Sequence, residues 1–344
     1  MTSGSQPRPI LLVGSIPLAS AEDVFKAVAA ELGPLVARIP DGETGDRSMW
    51  IVCQGEPIKK SSGLEVGGER VLQGGIRNPR YKIKQGLTPD DVRFARLGYA
   101  DNALSSYGVF KGLKSAGQIS ASEKFQVCVP TPLSVVYAFF IAEEVRRVWP
   151  VYEKALLAEI DEILAKIPHA ELAIQLDIAT EVHSFIEDEA LKGLYPFEEL
   201  LESFSRFCNR IPADVELGVH LCYGDPGHKH VREPVDMARM VEIHNRLALK
   251  LHRPMTWIHM PVPRDRDDDA YFAPLRQILL HDDTELYLGL IHLTDGIEGA
   301  RRRAAAAKRV VSDFGVATEC GFGRRPPQTI PDLLRLHGRV AREI

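Results

Sequence analysis

Eight short apolar runs of strand length recur along the chain, and amphipathic stretches of helical length separate most of them. The runs are Ile10–Ser15, Leu35–Ile39, Phe125–Val129, Leu172–Asp177, Val215–Cys222, Thr256–Met260, Leu286–His292 and Val316–Cys320. Most are near-continuously hydrophobic, the pattern of strands buried on both faces, rather than alternating. Between them lie Ala21–Leu32, Ser134–Ile167 with a break expected at Pro150, Phe197–Arg210, Pro234–Leu251, Tyr271–Leu280 and Gly296–Phe314. A last helical stretch, Asp332–Glu343, closes the series. Eight βα units predict an α/β fold, a single (β/α)8 TIM barrel spanning residues 1–344. A doubly wound sheet competes, but no dinucleotide fingerprint follows the first run. One stretch breaks the rhythm. Residues 55–124 are rich in Gly and Lys and show no strand pattern. Residues 56–60 and 74–79 read as loop, and Thr88–Gly112 as helix with Thr88-Pro89-Asp90-Asp91 as its start. The whole reads as a long insertion after the second strand, lying over one end of the barrel.

Charge narrows the function classes. Lys plus Arg number 42 and Asp plus Glu 47, a net charge of −5. The densest basic run is Arg301-Arg302-Arg303, inside a helical stretch. That weighs against a nucleic-acid or membrane-surface binder. No apolar run approaches the roughly 20 residues of a membrane span. Five cysteines, an odd number, with no signal-peptide pattern at the start, predict a reducing compartment and hence the cytoplasm. A homo-oligomer is compatible with this composition.

In α/β barrels the chemistry collects at the C-terminal ends of the strands. Here nearly every run ends in a polar or special residue. The ends carry Gly14-Ser15, Asp41-Gly42-Glu43, Thr131, Gln175 and Asp177, His220 and Cys222, His259, His292 with Asp295, and Glu319-Cys320. In His220-Leu221-Cys222 the two side chains point to the same side of a strand. Imidazole and thiolate together suit zinc. Cys320 and His259, at the ends of other strands, could complete a tetrahedron. The bland alternative is that Cys222 and Cys320 are buried thiols. A second pair, His228 and His230, sits among Gly, Pro and Lys and reads as a solvated loop. Arg77, Arg80, Tyr81 and Lys82 could bind an acidic or aromatic substrate, with a solvated face as the plainer reading.

These motifs together resemble the C-terminal catalytic barrel of cobalamin-independent methionine synthase, within the superfamily that includes uroporphyrinogen decarboxylase. Gly14-Ser15-Ile16-Pro17 resembles an IGSFP-type turn that holds an amino-acid carboxylate, and Gly42-Glu43 resembles a GE motif whose Glu binds the amino group. Thr131-Pro132-Leu133-Ser134 is similar to GPVT, and Gln175-Leu176-Asp177 to QID. His220-Leu221-Cys222-Tyr223 is similar to HMCY, Ile291-His292 to IHSP, and Glu319-Cys320-Gly321 to DCG. The resemblance implies Zn2+ held by His220, Cys222 and Cys320, with His259 where the family has a Glu ligand. It implies Glu43 and Asp177 as carboxylates on the substrate and His292 as a proton-transfer group. Gly14, Ser15 and Tyr137 would also contact substrate.

The departures shape the expectation. QIDEPAL becomes Gln175-Leu176-Asp177-Ile178-Ala179-Thr180, and the Trp that follows GPVT is absent, leaving Tyr137 and Phe139 as the nearest aromatics. The sequence also lacks the N-terminal half of a full-length enzyme, so methyl-folate is expected to be a poor donor. The implied activity is a zinc-dependent transfer of a methyl or other alkyl group from a small-molecule donor to a small thiol. A zinc-dependent lyase or decarboxylase-like enzyme on the same barrel is the alternative.

Overall fold

The computed structural model describes residues 6–71, 77–225 and 229–344. In chain order its elements begin α1 (Ala21–Glu31), β1 (Arg38–Pro40), α2 (Gly55–Lys59), β2 (Leu64–Val71), β3 (Arg77–Ile83) and α3 (Tyr99–Ser115). Then come β4 (Lys124–Pro130), α4 (Pro132–Phe139), α5 (Ala142–Lys166), β5 (Leu172–Ile178), α6 (Phe197–Arg210), β6 (Glu216–Leu221) and α7 (Ala238–Ala248). The last are β7 (Trp257–Pro261), α8 (Asp269–Phe272), β8 (Glu285–Ile291), α9 (Gly296–Lys308), β9 (Gly315–Thr318) and α10 (Ile330–Glu343).

Seven strands form one parallel sheet in the order β1-β4-β5-β6-β7-β8-β9. Outside β2 and β3, each strand lies beside the next one in sequence, so the sheet curls in one direction. The apolar run from Ile10 forms no regular strand. Ile10 makes single parallel bridges to Val36 on one edge and Val316 on the other. The curl encloses a small core of Leu11, Val13, Ala173, Trp257, Tyr287 and Ala317, separate from the large core between sheet and helices. A Cβ on Gly218 would fall 1.7 Å from the Trp257 ring, so only glycine leaves room for that indole. Arg38 stacks on Trp257 at 4.5 Å and pairs with Glu216 and Glu285. These residues stand at the strand starts and close that end of the curl with charge, leaving the strand ends for the site. Among the described residues no helix is long and apolar enough to cross a membrane.

The segment after β1 departs from expectation. Residues 56–60, expected as loop, are mostly the short helix α2. Where no strand was expected, β2 and β3 form an antiparallel hairpin. Glycines and charged side chains facing water hide it from a hydrophobicity pattern; pairing and packing against α4 hold it. Residues 74–76 of the expected loop lie outside the described residues, and Arg77-Asn78-Pro79 is strand. Thr88 does cap a turn, Pro89–Asp91, with reciprocal hydrogen bonds to Asp91. The long helix, α3, begins only at Tyr99 and packs on α1, α5 and β4 as the outer-layer connection to β4. Pro150 does not break its helix. The break falls at Phe140 and Ile141, because the Ile141 N–H donates to Tyr81 O of the hairpin at 3.1 Å rather than to a helical carbonyl.

Candidate active site

The loop after β1 supplies the first wall. Gly42 has φ +80°, and a Cβ there would lie 2.7 Å from Val24. Glu43 and Trp50 adopt φ +48° and +51°, a left-handed region that costs a non-glycine residue about 1–2 kcal/mol. Such strain persists only where the surroundings enforce it. Here Asp41 does so. Its carboxylate accepts from the Glu43 N–H at 2.9 Å, from Ser106 at 2.8 Å, and from Arg47 at 2.7 Å. Glu43 and Trp50 both line the space within.

They meet in a cleft of about 500 Å³, counting the space open to solvent at its mouth. Its walls include Gly14, Ser15, Glu43, Trp50, Asp177, His220, Cys222, Asp225, Cys320 and Arg324. Ser15 joins the first wall to the last. Its carbonyl accepts from the Phe322 N–H at 2.6 Å and its hydroxyl from the Gly323 N–H at 3.2 Å. A Cβ on Gly321 or Gly323 would strike the Ser15 hydroxyl, which accounts for both glycines.

Two carboxyl groups face this space. Burial pushes Glu43 up to about 7; Asp41 adds to the rise, and Arg47, Arg324 and a Ser15 hydrogen bond oppose it. Burial and the Glu43 charge raise Asp177 well above the usual carboxylate range, against hydrogen bonds from Gln175 and Trp50. Two buried carboxyl groups that repel each other cannot both ionise cheaply, and Arg47 and Arg324 offset only part of the rise at Glu43. The cleft therefore favours a ligand that brings positive charge.

On the opposite wall, the ligand atoms of His220, Cys222 and Cys320 lie within 4.8 Å of one another. The two sulfurs are 3.7 Å apart. Their contact and burial together push the Cys222 thiol up, so a cation beside it would favour its thiolate. The Gly224 N–H donates to Cys222 Sγ at 3.3 Å.

The imidazole arrangement suits a metal ligand. His259 Nε2 lies 3.0 Å from Thr318 O, which can only accept, so Nε2 carries the proton. Burial pulls His259 down to about 3, so the ring is neutral and its Nδ1 is a bare acceptor. That Nδ1 lies 2.7 Å from His220 Nδ1, which must therefore donate. His220 is left with a lone pair on Nε2, and that atom is buried without a hydrogen-bond partner. One imidazole and two thiols with an unused nitrogen match a zinc-type donor set. Both nitrogens of His259 are engaged, Nδ1 with His220 and Nε2 with Thr318 O, and it stands beside the His220–Cys222–Cys320 group rather than within it. Replacing His259 with Phe should weaken metal binding by about 10–100-fold, as loss of a ligand's hydrogen-bond partner generally does. Competition with a chelator measures this, and unchanged affinity would refute an orienting role.

Other expected residues lie elsewhere. His292 is buried outside the cleft walls, with Nε2 2.9 Å from Val262 O and Nδ1 3.6 Å from Glu319. Burial and Arg303 pull it down to about 3. Tyr137 packs edge-on against Phe185 at 4.9 Å and does not line the cleft. His230 is not solvated as expected, because its buried ring pairs with Glu233 at 3.1 Å and Glu319 at 3.3 Å. His228 lies outside the described residues. Trp50, Asp225 and Arg324 were missed. Arg324 pairs with Asp225 at 3.1 Å; Cys320 and Asp225 keep it protonated against burial. Its signal was present in Cys320-Gly321-Phe322-Gly323-Arg324, four residues beyond the cysteine.

Comparison by sequence finds no matching family profile and no matching curated protein. Comparison by structure does. A candidate vitamin-B12-independent methionine synthase from Listeria monocytogenes superposes with TM-score 0.59 at 17% identity, over 98% of each chain. A B12-independent methionine synthase from a Shewanella species, in complex with selenomethionine, gives 0.58 at 14%, over 99% of this chain and 95% of that one. A methyltransferase from Methanosarcina mazei gives 0.51 at 11%, over 98% and 94%. At these identities the likeness is one of fold, and it is the fold that the sequence motifs resemble.

Proposed function

We propose that this chain is a zinc-dependent transferase that moves a methyl or other alkyl group onto a small thiol. The observation that carries the reading is the unpartnered His220 Nε2 beside Cys222 and Cys320 in the wall of a cleft. Three protein ligands leave a fourth position for substrate, which is the catalytic rather than the structural pattern. Bound there, zinc would keep a substrate sulfur as thiolate near neutral pH.

The chain's own groups would do the rest. Glu43 and Asp177 hold a cationic group of the thiol substrate across the cleft from the metal ligands. Gln175 donates to Asp177 at 2.8 Å, which fixes that carboxyl group's direction. The Shewanella protein was solved with selenomethionine, an amino acid, and that supports an amine-bearing substrate here. In the resemblance His292 moves the proton. In this structure His292 is buried outside the walls, and Glu43 and Asp177 are read as anchors of the cation rather than as proton donors. The fold fits the same reading, with the segment around Ile10 as the eighth position of a closed barrel.

Cobalt substitution tests the site directly. The Co2+-loaded chain should show thiolate charge-transfer absorption that grows on adding 2-mercaptoethanol or homocysteine. Cobalt that binds without responding to either thiol would defeat the transferase reading.

A further inference from the structure

The hairpin carries a group of donors that the transferase reading leaves unused. Of the four residues singled out from sequence, three are accounted for. Arg77 pairs with Glu69 at 2.6 Å and Lys82 with Glu65 at 3.2 Å. Tyr81 is buried against Phe140. Arg80 is different. Its side chain donates to Tyr137 O at 3.2 Å, its Nε is buried without a partner, and it makes no ion pair among the described residues. Arg70 donates to the same Tyr137 O at 3.2 Å, stacks on the Tyr137 ring at 4.6 Å, and likewise makes no ion pair. The residues outside the description carry no carboxylate side chain, so none of them can neutralise the pair.

In the hairpin register Arg70 stands opposite Asn78 and Gly68 opposite Arg80. Side chains at 78 and 80 share a face, and Arg70 joins it by cross-strand pairing. Asn78 is 5% exposed, and its Nδ2 has no hydrogen-bond partner. Buried donors are normally satisfied, so unused ones on a shared face call for a ligand. Two guanidinium groups without a contact ion pair, with the Glu143 carboxylate acting on Arg80 only from farther off, converge on one carbonyl beside a spare amide, the donor geometry that oxyanions match.

A chain of contacts links the face to the cleft wall. Tyr137 packs on Phe185, from the turn Glu181–Ile186 that also carries His183. His183 Cδ2 lies 3.4 Å from where a Cβ on Gly224 would stand, and Gly224 lines the cleft. Its other side reaches Cys222 through the N–H bond described above. Arg70 also lies near enough to His183 to help hold its ring neutral.

We propose that Arg70, Asn78 and Arg80 form an oxyanion subsite at the edge of the cleft, which seats a carboxylate or phosphate group of the alkyl donor. The proposal rests on the transferase reading for the identity of that second substrate. Recognition of the oxyanion itself does not.

Titration calorimetry on the full chain, with inorganic phosphate and with succinate in separate arms, tests it. At least one probe should bind, and the stronger arm distinguishes a phosphate from a carboxylate. Binding should shift the His183 ring resonances in NMR. The Arg70→Gln/Arg80→Gln double variant should bind more than about tenfold more weakly, and Asn78→Ala severalfold more weakly. If the double variant loses its melting transition, Arg80→Lys is read instead. It keeps the charge but loses the planar fork, and should also bind severalfold more weakly. Cys222→Ser, which removes a metal ligand, should bind either probe as the parent does. That arm separates the two ideas, since the subsite can stand where the transferase reading falls. No binding of either probe to the parent, or parent-like binding by the folded arginine variants, would overturn the subsite.

Discussion

Cys222→Ser and Cys320→Ser should each strip the metal from the chain while leaving its fold intact. The two sulfurs lie 3.7 Å apart and share the site with one imidazole nitrogen. Zinc binding at thiolate-rich sites is worth about 10–16 kcal/mol spread over a few ligands. Losing one should therefore weaken binding roughly a thousandfold or more. A serine hydroxyl keeps nearly the volume of the thiol but does not ionise near neutral pH. The fold should tolerate this, because its stability resides in the two apolar cores, to which neither cysteine belongs. Metal content after dialysis and the thermal melting curve are the paired readouts. Full occupancy in either variant would remove that cysteine from the ligand set. A collapsed melting transition would show that the pair is structural instead.

Glu43→Gln should raise KM about 10–100-fold with kcat nearly unchanged. The amide keeps the shape and the strained backbone but cannot carry charge. If Glu43 anchors a cation in ground and transition state alike, the loss is one of uniform binding. A charge-assisted contact of this kind contributes about 1.5–3 kcal/mol. The pH dependence adds a second signature. The folded-state value near 7 lies above the usual carboxylate value, so between about 4.5 and 7 the folded chain holds a proton that the unfolded chain releases. This group therefore lowers stability as pH rises through that window. A cationic ligand reverses the preference, so its binding should expel a proton below about pH 7 and tighten toward neutrality. Glu43→Gln should flatten both trends. A fall in kcat with KM unchanged would instead make Glu43 the proton-transfer group.

How far these features were legible depends on what sets each of them. The seven sheet strands were readable because burial on both faces makes them continuously apolar; β5 is buried at every position. His220 and Cys222 were readable as a pair because strand periodicity alone puts them on one side. The hydrogen bonding of His259 was not, because Thr318 O, a backbone atom 59 residues away, decides which nitrogen carries the proton. The hairpin was hidden by its wet faces. The break at Phe140 was assigned to Pro150 because the true cause is a hydrogen bond from another element. Trp50 became a wall of the cleft through a backbone conformation that no side-chain pattern announces.

The bonds that tie Ser15 to the turn after Cys320 join residues about 308 positions apart. Synthesis from the N-terminus makes Ser15 long before Cys320. His220 and Cys222 leave the ribosome before Cys320, the third member of their group, is made, and the sheet still lacks β9. Such a centre cannot assemble piecemeal on a growing chain, since long-range contacts wait for their distant partner. A metal held as proposed would thus wait until Cys320 has been made. A nascent fragment stopped short of Cys320 would present a lone histidine–cysteine pair with little hold on any ion.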